Sequence, residues 1–471
     1  MNVSVTPRLA AMFAAVLLSG CSTLVTPYVR PPMPHGSTWS SQADAKGIAA
    51  DGWWRVFGDA QLNRLLTVVL NQNNDLAAAA LRVQRTRLQY GLAANGTVPK
   101  LSGNASTGVS VPLDDITATN GNASFSTTVA YEVDLWGRLA AQRDAAAFEA
   151  LATEQDLAAA RLAVISTTIE TYWRLAHTNQ LIASGEQSLS YARQAQALIV
   201  SQQSAGAASD LELREVEQTV ETQAIALDEL RQSRLVLRNT LGVLLNGAPS
   251  PVPEPQALPS RAIPAIRAGV PASLLARRPD LQAAELRLRG SLRGVDATRA
   301  SFYPTLSLTG SLGSSNALLS FLSNPVGSLG TGLVLPFLNF KDMNLTVRVS
   351  QAQYQEAVVA FRSALLNALT DVANALGARV ELAAKARRLA AILAAAKEVE
   401  HLTEARYKAG AVALRVWLDA QERRRAAETA LTSNRLAQLV NESTLYRAIG
   451  GTTAPSALAA PSQPRAAPGR R

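Results

Sequence analysis

The side chains that most often carry catalysis or metal binding are sparse in this sequence. Its 471 residues include three histidines and one cysteine, too few and too isolated for a metal site or a disulfide framework. No glycine-rich phosphate loop and no triad of nucleophile, base and acid can be assembled. The sequence therefore predicts a protein that is not an enzyme and that binds neither a metal nor an organic cofactor.

The formal net charge of +9 raises nucleic-acid binding as a possible function. Arginines and lysines are interspersed with acidic residues along the whole chain, however, and no basic stripe carries interleaved aromatic residues. Charged residues make up only 17% and aromatic residues 5%, whereas alanine is abundant, which favours long, closely packed helices. We therefore expect no nucleic-acid partner.

The single cysteine is the residue with the most specific chemistry. Arg8 precedes a short apolar run that ends in Leu18-Ser19-Gly20-Cys21, the pattern of a secretion signal with small residues at its processing site. The run is too short to span a bilayer as a helix. Leu18 to Cys21 resembles the lipobox of bacterial lipoproteins, which implies a lipid on Cys21 and, from Ser22, sorting to an outer membrane. A plain signal peptide with an incidental cysteine is the alternative.

The rest of the chain is organised around a duplication. Asp280, Ala284, Arg287 and Pro304 repeat the residue types found 205 positions earlier, at Asp75, Ala79, Arg82 and Pro99. Further along the offset is 204, where Ala409-Gly410-Ala411 corresponds to Ala205-Gly206-Ala207. Self-similarity over this length indicates a duplicated unit rather than a short solenoid repeat.

Each copy contains a predicted pair of strands. Apolar residues alternate with small polar ones around Val109 and from Phe125 to Val133, and again from Leu306 to Leu312 and from Leu329 to Leu335. Each strand has roughly ten residues, the length that a tilted strand needs to cross a bilayer. A soluble β-subdomain is the alternative that periodicity leaves open.

A long helical hairpin follows each strand pair. Residues 138–205 and 344–409 contain no proline, and their apolar positions keep a three-four spacing. At ~1.5 Å per residue, such a helix would reach on the order of 100 Å. The sustained repeat indicates coiled-coil packing, and the abundant alanines let each helix approach neighbours on two sides. Gly206 and Gly410 mark the reversals, where glycine can cap a helix.

The number of strands requires an oligomer if they cross a membrane. Open sheet edges in hydrocarbon leave backbone groups without hydrogen-bond partners, so the sheet must close. One chain brings four predicted strands, whereas natural barrels have at least about eight. Several chains must therefore pool their strands into one barrel, which the helices continue on one side.

The chain resembles the outer-membrane factors of tripartite efflux systems, in the lipoprotein branch related to NodT. The resemblance covers residues 15–451 and is carried by Leu18 to Cys21, Trp53-Trp54 with Phe57 and Asp59, Asn74-Asp75-Leu76, Tyr131 to Arg138, Arg277 to Leu281 with Ala284 and Glu285, Tyr303-Pro304, Arg406 to Gly410, and Asp419-Ala420-Gln421. It implies a mixed α/β membrane channel that is a homotrimer. Its twelve-stranded transmembrane β-barrel would be continued in the periplasm by a barrel of coiled-coil helices.

The resemblance also implies a function and partners. The chain would be a passive outer-membrane exit for small molecules such as drugs, with a gated periplasmic aperture. It would dock through a periplasmic adaptor, a membrane fusion protein, to an inner-membrane pump of the RND type. A channel for type I protein secretion and a coiled-coil scaffold lipoprotein are the alternatives. The lipid anchor and the Arg-Arg-Pro-Asp run favour efflux.

Three residues are expected at the aperture. In the family the aspartate of the Asp-Ala-Gln run points into the closed aperture, which corresponds to Asp419; a solvated surface carboxylate is the alternative. Three such carboxylates around an axis would favour cations. This chain departs from the family at Arg415 and Glu422. Because Arg415 and Asp419 are i,i+4 neighbours, we expect a closing network of these residues in or between protomers.

The helical reversals are expected to contact the adaptor. The residues implied by the resemblance are Gln203, Gly206, Tyr407 and Gly410. Helix capping alone is the alternative for Gly410. A second departure from the family is Phe340-Lys341-Asp342, which stands where Gly137-Arg138 follows the first strand pair. It leaves open how the chain bends from strand to helix in the second copy.

These patterns set the predicted boundaries. They are a signal peptide at 1–20, a lipidated strap at 21–58, a first-copy leading helix at 59–101, a transmembrane β-hairpin at 102–134, a long helical hairpin at 135–247, a proline-rich linker at 248–270, a second-copy leading helix at 271–302, a transmembrane β-hairpin at 303–338, a long helical hairpin at 339–450 and a disordered tail at 451–471.

Overall fold

The computed structural model describes residues 24–32, 52–110, 120–261, 277–314 and 326–451. The signal peptide, Cys21, much of the strap, the end of the linker and the tail beyond Gly451 lie outside these residues. The described helices are α1 Ala60–Gln72, α2 Asn74–Asn95, α3 Arg138–Ser204, α4 Asp210–Leu244, α5 Pro279–Ala300, α6 Phe340–Lys408 and α7 Leu414–Ala448; the strands are β1 Lys100–Ser110, β2 Asn120–Val133, β3 Thr305–Ser314 and β4 Val326–Val334.

The segment predicted as one leading helix, 59–101, is instead two helices followed by the start of β1. Asp59 begins α1 by accepting hydrogen bonds from the N–H groups of Gln61 and Leu62. Asn73 then interrupts the helix with an extended backbone at ψ 128°. Its side-chain oxygen accepts from the Asp75 N–H at 3.0 Å and so begins α2. An asparagine that satisfies free N–H groups favours a new start over a continuous helix.

Residue contacts divide the chain into two compact units, and each unit draws on both copies of the duplication. The first comprises residues 1–33, 80–156 and 282–364, and the second comprises 34–79, 157–281 and 365–471. The predicted boundaries run sequentially along the chain, whereas these units cut across them, because many segments find their partners in the opposite copy.

The first unit contains an antiparallel sheet in the order β1-β2-β3-β4. The two copies meet at β2 and β3, where Val129 pairs with Gly310. Because side chains alternate between faces, the registers place Leu101, Val129 and Leu329 in one apolar row. The opposite face is rich in serine and threonine, and the Ser311 and Ser328 hydroxyls lie 2.6 Å apart on it.

The two copies turn from strand to helix by different means. In the first, Gly137 has a left-handed backbone at φ 73°, and the Asp134 carboxylate accepts from the N–H groups of Leu139 and Ala140. In the second, a short 3₁₀ turn at Pro336–Leu338 precedes α6. The proline ring fixes φ near the value such a turn needs. This turn makes the bend that the sequence around Lys341 left open.

A strap of residues 24–32 lies along α5 in the first unit. Thr26 donates to the Asp296 carboxylate through its hydroxyl at 2.6 Å and its N–H at 3.1 Å. Arg30 makes a bidentate ion pair with Glu285, at 2.9 and 2.8 Å from one guanidinium nitrogen. The strap therefore runs antiparallel to α5, and its first residues lie beside the end of α5 that leads into β3.

The second unit has an aromatic core. Trp53 stacks on Tyr446 with ring centroids 4.7 Å apart, and Phe57 meets Trp173 edge-on at 4.8 Å. These four rings are buried, so the paired tryptophans of the sequence serve packing. Arg278 of the Arg-Arg-Pro-Asp run donates to the carboxylates of Asp280 and Asp371 and to the Ala448 carbonyl, so that it links α5, α6 and α7.

Candidate functional site

The two helical reversals, at 205–209 and 409–413, both lie in the second unit. Gly206 and Gly410 have φ of 77° and 73°, in the left-handed region that glycine favours. The N–H groups of Ala207 and Ala411 bond back to carbonyls five residues earlier, at 2.7 and 2.9 Å. Both glycines therefore cap helices in the Schellman manner. Open space surrounds each glycine Cα, so backbone conformation rather than crowding requires glycine here.

The helices that leave the two reversals begin differently. Ser209 and Glu212 form a complete capping box at the start of α4. Hydrogen bonds from the Ser209 N–H and hydroxyl hold the pKa of the Glu212 carboxyl below its usual value. At the equivalent position before α7 stands Ala413, which has no side-chain cap. The first turn of α7 is therefore less firmly held than that of α4.

An apolar cluster below the reversals joins the two hairpins. Its buried members are Ala195 and Ile199 of α3, Val216 of α4 and Leu414 of α7. Tyr407 stacks on Trp417 at a centroid distance of 5.3 Å and packs against the cluster. Tyr407, predicted as an adaptor contact, thus also holds the reversal of its own hairpin together. Trp417 escaped the sequence analysis because its spacing carries no distinctive pattern.

The residues predicted at the aperture divide into two sets. Arg415 forms an ion pair with Glu215 of α4 at 3.2 Å, rather than with Asp419. Glu422 accepts from the Gln223 amide at 3.3 Å and pairs with Arg425. The side chains of Arg415 and Glu422 on α7 therefore both contact α4. No spacing pattern points to Glu215, because it lies 200 positions from Arg415.

Asp419 lies one helical turn after Arg415 on α7, yet its side chain takes no part in these contacts with α4. It is exposed and has no ion-pair or hydrogen-bond partner within the described ranges. Gln203, in the last turn of α3, donates to the carboxylate of Asp210, the first residue of α4. The structure thus gathers the predicted tip residues into one end of the hairpins, where the Asp419 side chain is exposed.

No three His, Cys, Asp or Glu side chains in the described part of the chain lie close enough together to hold a metal ion. None of its helices is both long and apolar enough to cross a membrane.

Comparison with known proteins places this architecture. The outer membrane efflux protein family model matches residues 65–247 and 270–451, once on each copy. The chain belongs to the outer membrane efflux protein family. Outer membrane protein OprJ of Pseudomonas aeruginosa is 33% identical over 94% of this chain and 95% of its own length. The cation efflux system protein CusC of Escherichia coli is 30% identical over 94% and 98%.

Solved structures of this efflux family share the fold. A crystal structure of CusC superposes with a TM-score of 0.81 at 28% identity, over 91% of this chain and 99% of that one. The open state of the MtrE outer membrane channel of Neisseria gonorrhoeae gives 0.76 at 27% identity, over 91% and 98%. The predicted family, fold class, outer-membrane location and efflux-channel function are confirmed. The protein is a transport channel that works with the components of an efflux pump.

Proposed function

We propose that three copies of this chain close one transmembrane barrel and one helical tunnel. The observation that carries the proposal is the four-stranded sheet, whose edge strands β1 and β4 have no partner strand within the described chain. Open edges are not tolerated in hydrocarbon, so other chains must complete the sheet. The apolar face of the sheet suits lipid, and its serine- and threonine-rich face suits a water-filled lumen.

The lipid anchor belongs to the same proposal. Cys21 carries the lipid, and the five residues from Cys21 to Thr26 can reach at most ~17 Å. Thr26 is bound to Asp296 near the end of α5 that leads into β3. The strap would therefore hold the anchor at the membrane end of the first unit.

The work of the channel is passive export of small molecules, without covalent chemistry. A periplasmic adaptor would bind at Gln203, Gly206, Tyr407 and Gly410, and a pump of the RND type would supply the energy. Asp419 would line the closed aperture, with Arg415 and Glu422 in its closing network. A relative named toxin and drug export protein A, from Aggregatibacter actinomycetemcomitans, is 28% identical over 93% of this chain. The name of this relative supports secretion of a toxin as the second candidate function.

One sample tests the proposal. The mature protein, extracted in detergent, should have the native mass of a trimer and carry a lipid on Cys21. In planar bilayers it should give small, mostly closed currents. Co-purification with an adaptor and a pump of the RND type would support efflux, and co-purification with an ATP-binding transporter would favour secretion. A monomer without conductance would refute the channel.

A further inference from the structure

The first turns of α7 contain an arginine that the rest of the site does not use. Four arginines lie between positions 415 and 425, and three are engaged by carboxylates. Arg415 pairs with Glu215, Arg424 with Glu400 and Glu428, and Arg425 with Glu422. Arg423 is exposed, and none of the carboxylates that the structure describes lies within ion-pair distance of it.

Arg423 shares its helix face with Asp419. Residues four positions apart lie above one another on an α-helix, displaced by ~6 Å along its axis. Both side chains are exposed, yet they form no ion pair with each other in the described chain. Arg415 and Glu422 lie close to this face but are already paired, so within the described chain Asp419 and Arg423 are its charged groups that remain available to an ion or to another chain.

The strands offer no competing charge filter. Their only charged residues, within the described ranges, are Lys100 at the start of β1 and Glu132 near the end of β2. Glu132 is already paired with Arg138 at 2.6 Å. Hydroxyl groups dominate the polar face between these ends. Within the described ranges, charged side chains are therefore concentrated in the helices rather than in the strands.

We propose that Arg423 is a specificity-determining residue of the channel. Three copies of Arg423 form a positive ring one helical turn from the negative ring of Asp419, and they offset its attraction for cations. The inference rests on the proposed placement of Asp419 at the aperture and deepens it. Asp419 alone predicts a cation-preferring pore, whereas the pair predicts weak selectivity between K⁺ and Cl⁻.

The expected size of the effect follows from Coulomb's law. A unit charge ~6 Å from a monovalent ion in water changes the local concentration of that ion about three-fold. Salt reduces this effect, because the Debye length falls from ~10 Å at 0.1 M to ~3 Å at 1 M. Arg423→Gln should therefore raise the permeability ratio of K⁺ to Cl⁻ at least about three-fold in dilute KCl, and much less in concentrated KCl.

Reversal potentials of the full-length, lipidated trimer in a KCl gradient test the proposal. Asp419→Asn should shift the ratio towards Cl⁻, and the double variant should lie between the two single variants. Arg423→Lys should keep the wild-type ratio, since it keeps the charge. Arg64→Gln is the matched control, because Arg64 is exposed on α1. Each variant must first run as a trimer on a native gel.

The outcomes separate this inference from the proposed function. A changed ratio in Asp419→Asn with no change in Arg423→Gln would overturn the role of Arg423 and leave the aperture intact. No change in either variant would overturn both the aperture assignment and the inference. An equal change in Arg64→Gln would also overturn it, because the effect would then be one of overall charge.

Discussion

At the scale of single residues, Arg415 is the informative departure from the family. Its partner is Glu215 on α4, and the two side chains are 72% and 39% exposed. Ion pairs this exposed contribute only ~0.2–1 kcal/mol to stability. A role in holding the tip closed would therefore show in conductance rather than in the free energy of unfolding.

Arg415→Ala should raise the leak conductance of the closed channel and lower the unfolding free energy by less than about 1 kcal/mol. Glu215→Gln should raise the leak similarly, because it removes the same clasp between α4 and α7. Arg214→Ala is the control, since Arg214 pairs with Glu217 within its own helix at 2.8 Å. An unchanged closed-state conductance in Arg415→Ala would contradict the closing network.

At the scale of elements, the two hairpins are duplicated but unequally capped. Ser209 and Ala413 occupy equivalent positions, and only Ser209 provides a side-chain cap. Because end turns open more easily when their N–H groups lack partners, the reversal between α6 and α7 is the weaker of the two. It is therefore the one better suited to open.

Ala413→Ser should stabilise the first turn of α7 by ~0.5–2 kcal/mol and slow its amide exchange. The open probability of the channel should fall with it. Ser209→Ala is the reciprocal variant and should speed exchange at the start of α4 only. Slower exchange in Ala413→Ser without any change in gating would show that this reversal does not control opening.

The cap of α4 should also depend on pH. Hydrogen bonds from Ser209 lower the pKa of the Glu212 carboxyl in the folded protein. The ionised Glu212 carboxylate therefore contributes its full stabilising effect above the pKa of an unfolded glutamate, about 4.3. The effect is lost as pH falls through the lower pKa of the folded state. Amide exchange in the first turn of α4 should therefore accelerate, relative to the rest of the tip, only well below pH 4.3.

At the scale of the whole molecule, the strap ties the N-terminal segment to α5 through buried carboxylates. The Glu285 side chain is 9% exposed and pairs with both Arg30 and Arg289 at 2.8 Å. Arg289 also lies over the ring of Tyr28 at 4.8 Å. Glu285 is the buried member, whereas Arg30 and Arg289 are 51% and 35% exposed, so removing its charge weakens the charge-assisted hydrogen bonds without leaving a buried charge unpaired.

Glu285→Gln should destabilise the strap by about 1–2 kcal/mol, because glutamine keeps only part of the hydrogen bonding to the two arginines, and it should expose the bond after Tyr28 to chymotrypsin. Glu149→Gln is the matched control, because Glu149 is 48% exposed and makes an ion pair with Arg287 at 3.3 Å. Equal cleavage rates in the two variants would show that the buried carboxylate does not hold the strap.

The sequence alone determined the features that depend on local or periodic patterns. Alternation predicted the strands, the three-four spacing predicted the long helices, and the 205-residue offset between Asp75 and Asp280 predicted the duplication. Glycine marked both reversals, because few other residues adopt a left-handed backbone. The resemblance to the family followed from short runs of residues, such as Arg277 to Leu281, that occur along the chain in the same order as in the family.

The tertiary structure decided what depends on distant partners. Only it pairs Arg415 with Glu215, sets Arg30 on Glu285 and divides α1 from α2 at Asn73. An arginine at an exposed helical position can reach any carboxylate that packing brings within a few ångströms, and sequence spacing favours the nearest one. Contacts between α4 and α7 selected a partner 200 positions away instead, because helix packing, rather than spacing along the chain, fixes which faces meet.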